Sequence, residues 1–472
     1  MNFIKSKILN TPILFIVCVG IIIRLLFWAF AAKIILGDNI YTSGDTVGWT
    51  QSFLNLLHYG HYTFDLTDAS GYFGRVPGYS FYWGLHYLLS GSEYVYQAVA
   101  ATQIILDCIC IYLVYKISLL VFNDSLAAKI SALLYCFYPF AIIWVTVSYS
   151  EILSNFLNIL CIYLSLKPDK KNSHFFILGL LLAVLFLTRE FVAISLFFIC
   201  LYTLFDRDVA TYQKRFKNAT LIFLSFLLLY SIWPIRNYIN HDRFILSRSN
   251  EGFSFYKQDF REFRSWIICW DNDETFWIND ITKKNYITDF PEEAKLTLAD
   301  KKLLQETLLL CRDCGSSFAH WETFYGFKNP FRKKGEECNE LIAKNFSTLR
   351  SNYIKNNRLA FFTRVPLMNL QKAVLKTKLV NRSTSTLQRI LLSYRSLLII
   401  LGLIGVFLSI KNYKIIPIAG YVIFIYLFFS LIIRHIEMRN LLQADTLLVI
   451  MAGFAIVQFY KYSLRYSVNT KK

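Results

Sequence analysis

TPILFIVCVGIIIRLLFWAFAAKIIL, residues 11–36, is the stretch that decides the fold class. Arg24 and Lys33 are its only charges. As a helix rising 1.5 Å per residue it is long enough to cross about 30 Å of hydrocarbon. It exceeds a secretory signal in length and has no small-residue cleavage pattern, so it reads as an anchor. Further apolar windows follow at 94–121, 126–146, 148–166, 174–188, 190–205, 218–234, 393–410, 415–433 and 441–460. With 55% of its 472 residues hydrophobic, the chain reads as an all-α polytopic membrane protein with about ten transmembrane helices.

Lysine and arginine in the short loops orient these spans. Lys5, Lys7, the run KPDKK at 167–171, the KRFK end of the 206–217 loop, Lys411, Lys414 and the basic C-terminus fall on one side, the cytoplasmic one. The first loop on the other side, 37–93, holds five acids and a single base, Arg75. Immediately after the first span it reads YTSGDTVGW, residues 41–49, which sets Asp45 at the membrane exit on the extracytoplasmic face. Capping a helix that starts near Val47 is the plain alternative for this carboxylate.

The chain divides into a membrane module at 1–234 containing the loop 37–93, a mixed extracytoplasmic segment at 235–392, and a three-span module at 393–472. Within the segment, LTLADKKLLQETLLL (296–310) has helical apolar spacing, and a second helical region covers 336–376. A net charge of +18 does not imply nucleic acid, because part of it is the inside-positive signal. Another part lies in 341–395, with eleven Lys or Arg and no acid. Its interleaved apolar residues suit contact with anionic membrane lipids, with a solvated basic face as the alternative. Six of the ten cysteines lie in spans, where a thiol acts as a small hydrophobe. Cys269, Cys311, Cys314 and Cys338 fall in the outer segment and suggest two disulfides, with three possible pairings. Half a zinc site at Cys311 and Cys314 is the weaker alternative. No ligand cluster supports a divalent ion, and no cofactor is expected.

Charges inside or at the ends of spans are costly and therefore informative. Arg24 and Asp107 lie at similar depth and read as a buried ion pair. Glu151, Arg189, Glu190, Arg236, Arg434, Glu437 and Arg439 cluster at the outer ends of spans, on the face where Asp45 lies. Each alone suits a snorkelling side chain or a helix-end ion pair. Together, converging guanidinium groups suit phosphate, because their planar forks bond two oxygens at once. The loop segment GYFGRVPGYSFYWG (71–84) adds Arg75 and a bend followed by the aromatics Tyr79, Tyr82 and Trp83, which fit an interfacial helix.

These motifs fall in an order that resembles the GT-C membrane glycosyltransferases, in particular bacterial glycosyltransferase family 39, a group similar to the protein O-mannosyltransferases and the lipid A aminoarabinose transferase. The series runs SGDT with Asp45, RVPGYSFYWGL (75–85), YPF (138–140) with SEIL (150–153), LTRE (187–190), WPIRNY…FILSRSNEGF (233–253) and EMRNLLQAD (437–445). The resemblance implies a polyprenyl-phosphate sugar donor and inverting transfer to a glycan, lipid (lipid A or O-antigen) or protein acceptor on the outer face of a bacterial inner membrane. By that resemblance Asp45 is the catalytic acid–base residue. Arg75, Arg189, Arg439 and Arg236 bind the donor phosphate, and Glu151, Tyr79 and Tyr82 contact sugar or acceptor. The chain departs from the pattern where Thr46 stands in place of a second acid, where Trp precedes Pro at 233–234, and where Met438-Arg439-Asn440 replaces an Arg-Tyr pair. An O-antigen polymerase or ligase is the alternative enzyme. A lipid or glycan transporter fits less well, since no repeated halves with broken helices are visible.

Overall fold

The computed structural model describes residues 12–67, 69–168, 171–209, 211–249, 255–333, 335, 337–375 and 385–469. Lys5, Lys7, Asp169, Lys170, the motif residues 250–253, the basic residues within 376–384 and the terminal Lys471 and Lys472 lie outside the described residues. Every regular element among the described residues is helical.

Six helices are long and apolar enough to cross a membrane: α1 (Ile13–Leu36), α3 (Pro77–Phe122), α8 (Tyr212–His241), α15 (Thr386–Leu408), α16 (Tyr413–Ile433) and α17 (Met438–Leu464). Four shorter apolar helices, α4 (Ser125–Cys136), α5 (Ser150–Leu166), α6 (Asn172–Thr188) and α7 (Glu190–Phe205), stand where the remaining spans were expected. The chain is an integral membrane protein. The window 126–146 is not one helix. Pro139 disfavours helical backbone at the residue before it, and Tyr138 is extended (φ −76°, ψ 105°). A short helix, α2 (Thr46–Tyr59), fills the first loop. Helix α3 starts in that loop and turns into the second span at Gly91, whose φ of +73° no side chain tolerates easily.

Close backbone approach packs the membrane module. A Cβ on Gly405 of α15 would sit 2.1 Å from the Met451 carbonyl oxygen of α17. One on Gly179 of α6 would sit 1.9 Å from Ser225 Oγ of α8. Small residues at such seams gain dispersion contact that lipid cannot supply. The expected Arg24–Asp107 pair forms at 2.6 Å, with both side chains fully buried. Tyr135 donates to the other Asp107 oxygen at 2.5 Å, and Arg24 also donates to the Cys136 carbonyl at 3.0 Å. A second buried pair, Arg395 with Asp445 at 2.7 Å, ties α15 to α17, and the Tyr138 and Tyr426 hydroxyls both donate to that carboxylate.

Between α8 and α15 the chain builds a helical lobe with its own aromatic core, including Phe263, Trp266, Phe318 and Phe346. Its helices are α9 (Gln258–Ile267), α10 (Glu274–Lys283), α11 (Leu298–Cys314), α12 (Ser316–Phe324) and α13 (Asn339–Asn356), followed by α14 (Val365–Val374). The helix expected at 296–310 is α11. Thr297 and Asp300 form a capping box that fixes its start. The helical region expected at 336–376 is divided, because α13 ends at Asn356 before α14 begins.

The cysteine expectation needs correction. Cys314 and Cys338 form one disulfide, with Cα atoms 5.5 Å apart, while Cys269 and Cys311 are free. Those two thiols belong to the lobe's apolar core, and Cys269 donates to the Ser265 carbonyl at 3.3 Å. The disulfide also removes Cys314 from any zinc pair with Cys311.

Candidate active site

Asp45 stands at the N-cap position of α2, yet its side chain makes no capping hydrogen bond. Its carboxylate instead lies between two guanidinium groups. Arg75 Nη2 donates to Oδ1 at 3.0 Å and Arg439 Nη1 to Oδ2 at 2.6 Å. The Asp45 backbone N–H donates to the Tyr149 hydroxyl at 3.1 Å. Burial would push the carboxyl upward, but the two arginines outweigh it and hold Asp45 below the usual carboxylate range.

Arg75 comes just before the start of α3, and its guanidinium lies over the Trp49 ring at 4.7 Å. Gly48 makes that position possible, since a Cβ there would meet Arg75 Nε at 3.0 Å. Arg439 sits in the first turn of α17 and bonds Glu437 as well as Asp45. Arg189 occupies the extended junction between α6 and α7. It pairs with Glu151 of α5 at 2.8 Å and donates to Asn440 Oδ1 at 2.6 Å and Ser150 Oγ at 3.0 Å. All five groups line one cavity of about 620 Å³ between the membrane module and the lobe.

Three residues expected at the site lie elsewhere. Arg236 donates to the carbonyls of Tyr62 at 2.7 Å and Tyr72 at 3.1 Å, binding the first loop to α8. Tyr79 is fully buried beneath Trp49 and donates to Gln103 at 3.1 Å. The Tyr82 hydroxyl is 2.7 Å from that of Thr102. None of the three lines the cavity.

The lobe contributes what the sequence did not announce. Glu274 at the start of α10 faces His435 Nδ1 at 2.9 Å, and His435 Nε2 lies 2.9 Å from Glu437. Arg264 of α9 pairs with the other Glu274 oxygen at 2.9 Å. Burial works against charge on all three groups, yet each partner overrides it. The His435 imidazole is pushed up to about 10, Glu274 is held at about 2, and Glu437 is held well below the usual carboxylate range. With His435 charged, the lining has six cations (five arginines and this imidazolium) against five carboxylates. The wall is therefore slightly cationic and densely paired. Tyr256, Phe260 and Trp321 of the lobe add aromatic rings to the lining. Among the described residues, no three His, Cys, Asp or Glu side chains come together as a metal-ligand set.

Residues 75–233 match a family described as dolichyl-phosphate-mannose-protein mannosyltransferase. The Archaeoglobus fulgidus oligosaccharyltransferase superposes on 98% of this chain at a TM-score of 0.51 and 13% identity. The chain shares the fold of that enzyme's matching half. It spans about half of that enzyme's length, 52%. The same archaeal protein, AglB, in complex with an inhibitory peptide and a dolichol-phosphate, matches equally well, at 13% identity and a TM-score of 0.51 over 98% of this chain and 52% of its own. ArnT from Cupriavidus metallidurans bound to undecaprenyl phosphate matches 93% of this chain and 77% of its own at 13% identity, with a TM-score of 0.38. No curated protein matches the chain. In this chain the loop after the first span, the starts of α3, α5 and α17, and the α6–α7 junction bring Asp45, Arg75, Glu151, Arg439 and Arg189 together.

Proposed function

We propose that the protein is an inverting glycosyltransferase of the family 39 kind, moving a sugar from a polyprenyl-phosphate donor to an acceptor on the extracytoplasmic face of a bacterial inner membrane. One observation carries the reading: a carboxylate at a membrane exit, without a capping role, held between arginines that line a single cavity. The donor's lipid tail would keep its phosphate at the depth of these span ends, where Arg75, Arg189 and Arg439 can neutralise it. The acceptor hydroxyl would enter from the aromatic wall of the lobe, whose ring faces suit the apolar face of a sugar. In the transfer step the acceptor oxygen forms a bond to the anomeric carbon, and its proton passes to the Asp45 carboxylate. The bond from that carbon to the phosphate oxygen breaks, and polyprenyl phosphate leaves with the electron pair. A phosphate leaving group is already a good anion, so the step requires no general acid.

The same guanidinium groups serve Asp45 and the phosphate, so donor binding competes with the carboxylate for Arg75 and Arg439. That exchange would return Asp45 toward ordinary basicity when the base is needed. Sugar transfer by Asp45→Asn protein in lipid, with a labelled mixture of polyprenyl-phosphate sugars, tests the reading. Transfer should disappear while the protein stays folded and still takes up donor. Transfer near the wild-type rate would overturn it. After deletion of the gene, loss of a single sugar from an envelope glycan supports transfer, whereas shortened glycan chains would indicate a polymerase.

A further inference from the structure

We propose that His435 is a positioning residue of this site: held between Glu274 of the lobe and Glu437 of the membrane module, it fixes Glu437 and thereby the Arg439 guanidinium aimed at Asp45. The inference rests on the transfer reading above and goes beyond it by making the lobe part of the catalytic arrangement.

The geometry is directional. The two ring nitrogens face opposite ways, and each meets a carboxylate from a different part of the fold at 2.9 Å. Nε2 hydrogen-bonds Glu437, while Nδ1 meets Glu274 as an ion pair without hydrogen-bond geometry, so it is the charge of the imidazolium that holds both carboxylates. On the lobe side, Asp273 adjoins Glu274, and Arg264 holds the far oxygen of Glu274. On the segment between α16 and α17, Arg434 turns away, placing its guanidinium 3.7 Å over the Phe361 ring and donating to the Leu431 carbonyl at 3.1 Å. Arg439 closes the series by bonding Glu437 and Asp45. The remaining carboxylates of the cavity are engaged elsewhere, Glu151 with Arg189 and Glu190 with Arg248. Among the described residues, His435 is thus the one cation placed between Glu274 and Glu437. Without it, two carboxylates would face each other across the gap, and Glu437 would no longer be held for Arg439. An imidazole pushed up to about 10 is charged throughout the neutral range, so the bridge would release as pH climbs through about 10.

The test uses the full chain in lipid nanodiscs, with undecaprenyl phosphate as the probe and isothermal calorimetry as the readout. Wild-type affinity should hold to about pH 8 and fall as His435 loses its proton. His435→Gln should bind about tenfold more weakly at pH 7, the loss of one charge-assisted contact, and should lack that alkaline fall. His435→Arg, which keeps a charge and donors on both sides, should recover most of the affinity. A His435→Gln protein with wild-type affinity and pH profile overturns this inference alone. Wild-type protein that binds no undecaprenyl phosphate overturns the transfer reading and this inference with it. Nuclear magnetic resonance of the labelled imidazole gives a ligand-free check: a His435 that titrates near an ordinary histidine value also overturns the proposal.

Discussion

At the scale of single residues, the site depends on where a few atoms are allowed to be. Gly48 leaves room for Arg75, so Gly48→Ala pushes the guanidinium by a few tenths of an ångström without removing any charge. Transfer should fall by roughly tenfold, because small misplacements at a reacting centre are costly, while stability moves by less than about 1 kcal/mol. Paired rate and melting measurements check this. A large loss of stability with unchanged rate would contradict it. Five of the charged residues were readable in the sequence for a physical reason: an ionisable group at a span end has few cheap partners, so Asp45, Arg75, Glu151, Arg189 and Arg439 had to meet something. Arg236 obeys the same rule and yet is absorbed by backbone carbonyls, which no side-chain pattern reveals. Tyr79 and Tyr82 were expected to contact sugar or acceptor, but helix phase turns both toward internal hydroxyl and amide partners. His435 and Glu274 went unnoticed as a pair because they come from distant parts of the chain, and only the packing of lobe against membrane module joins them.

Among elements, buried charge and covalent links decide which helices stay in register. Arg24→Ala strands Asp107 in the interior and should cost about 3–5 kcal/mol, whereas replacing both partners with apolar residues of similar volume should restore most of it. Thermal unfolding in detergent with both variants checks the pair, and equal damage from the single and double changes would argue against this account. The Arg24–Asp107 pair was legible because both residues interrupt long apolar runs at similar depth. The disulfide count was not, since parity says nothing about which thiols the core absorbs. Reducing Cys314–Cys338, which closes a separation of 24 residues, should destabilise the lobe by about 2–4 kcal/mol. Proteolysis of the lobe with and without reductant reads this directly.

Over the whole molecule, the Glu274–His435–Glu437 contact couples lobe and membrane module to pH. A depressed carboxylate contributes stability above its ordinary range and loses it as pH falls toward about 2, the value for Glu274. A raised imidazole contributes fully below about 6.5 and loses its share as pH climbs through about 10. The thermal midpoint should therefore be flat between about pH 4.5 and 6.5 and decline on both sides, and His435→Gln should remove the alkaline decline. The order of apolar helices was legible because hydropathy reports transfer to lipid, although six of them, not ten, are long and apolar enough to cross a membrane among the described residues. The lobe's docking was not, because its contacts with the membrane module join residues far apart in the chain, as Glu274 with His435. The two guanidinium groups on Asp45 have a consequence for the order of events. An acceptor arriving at an empty site meets a carboxylate that is already occupied, and so does a stray water molecule. Donor must come first, so initial rates should follow a compulsory order, and acceptor should bind measurably only to donor-loaded protein.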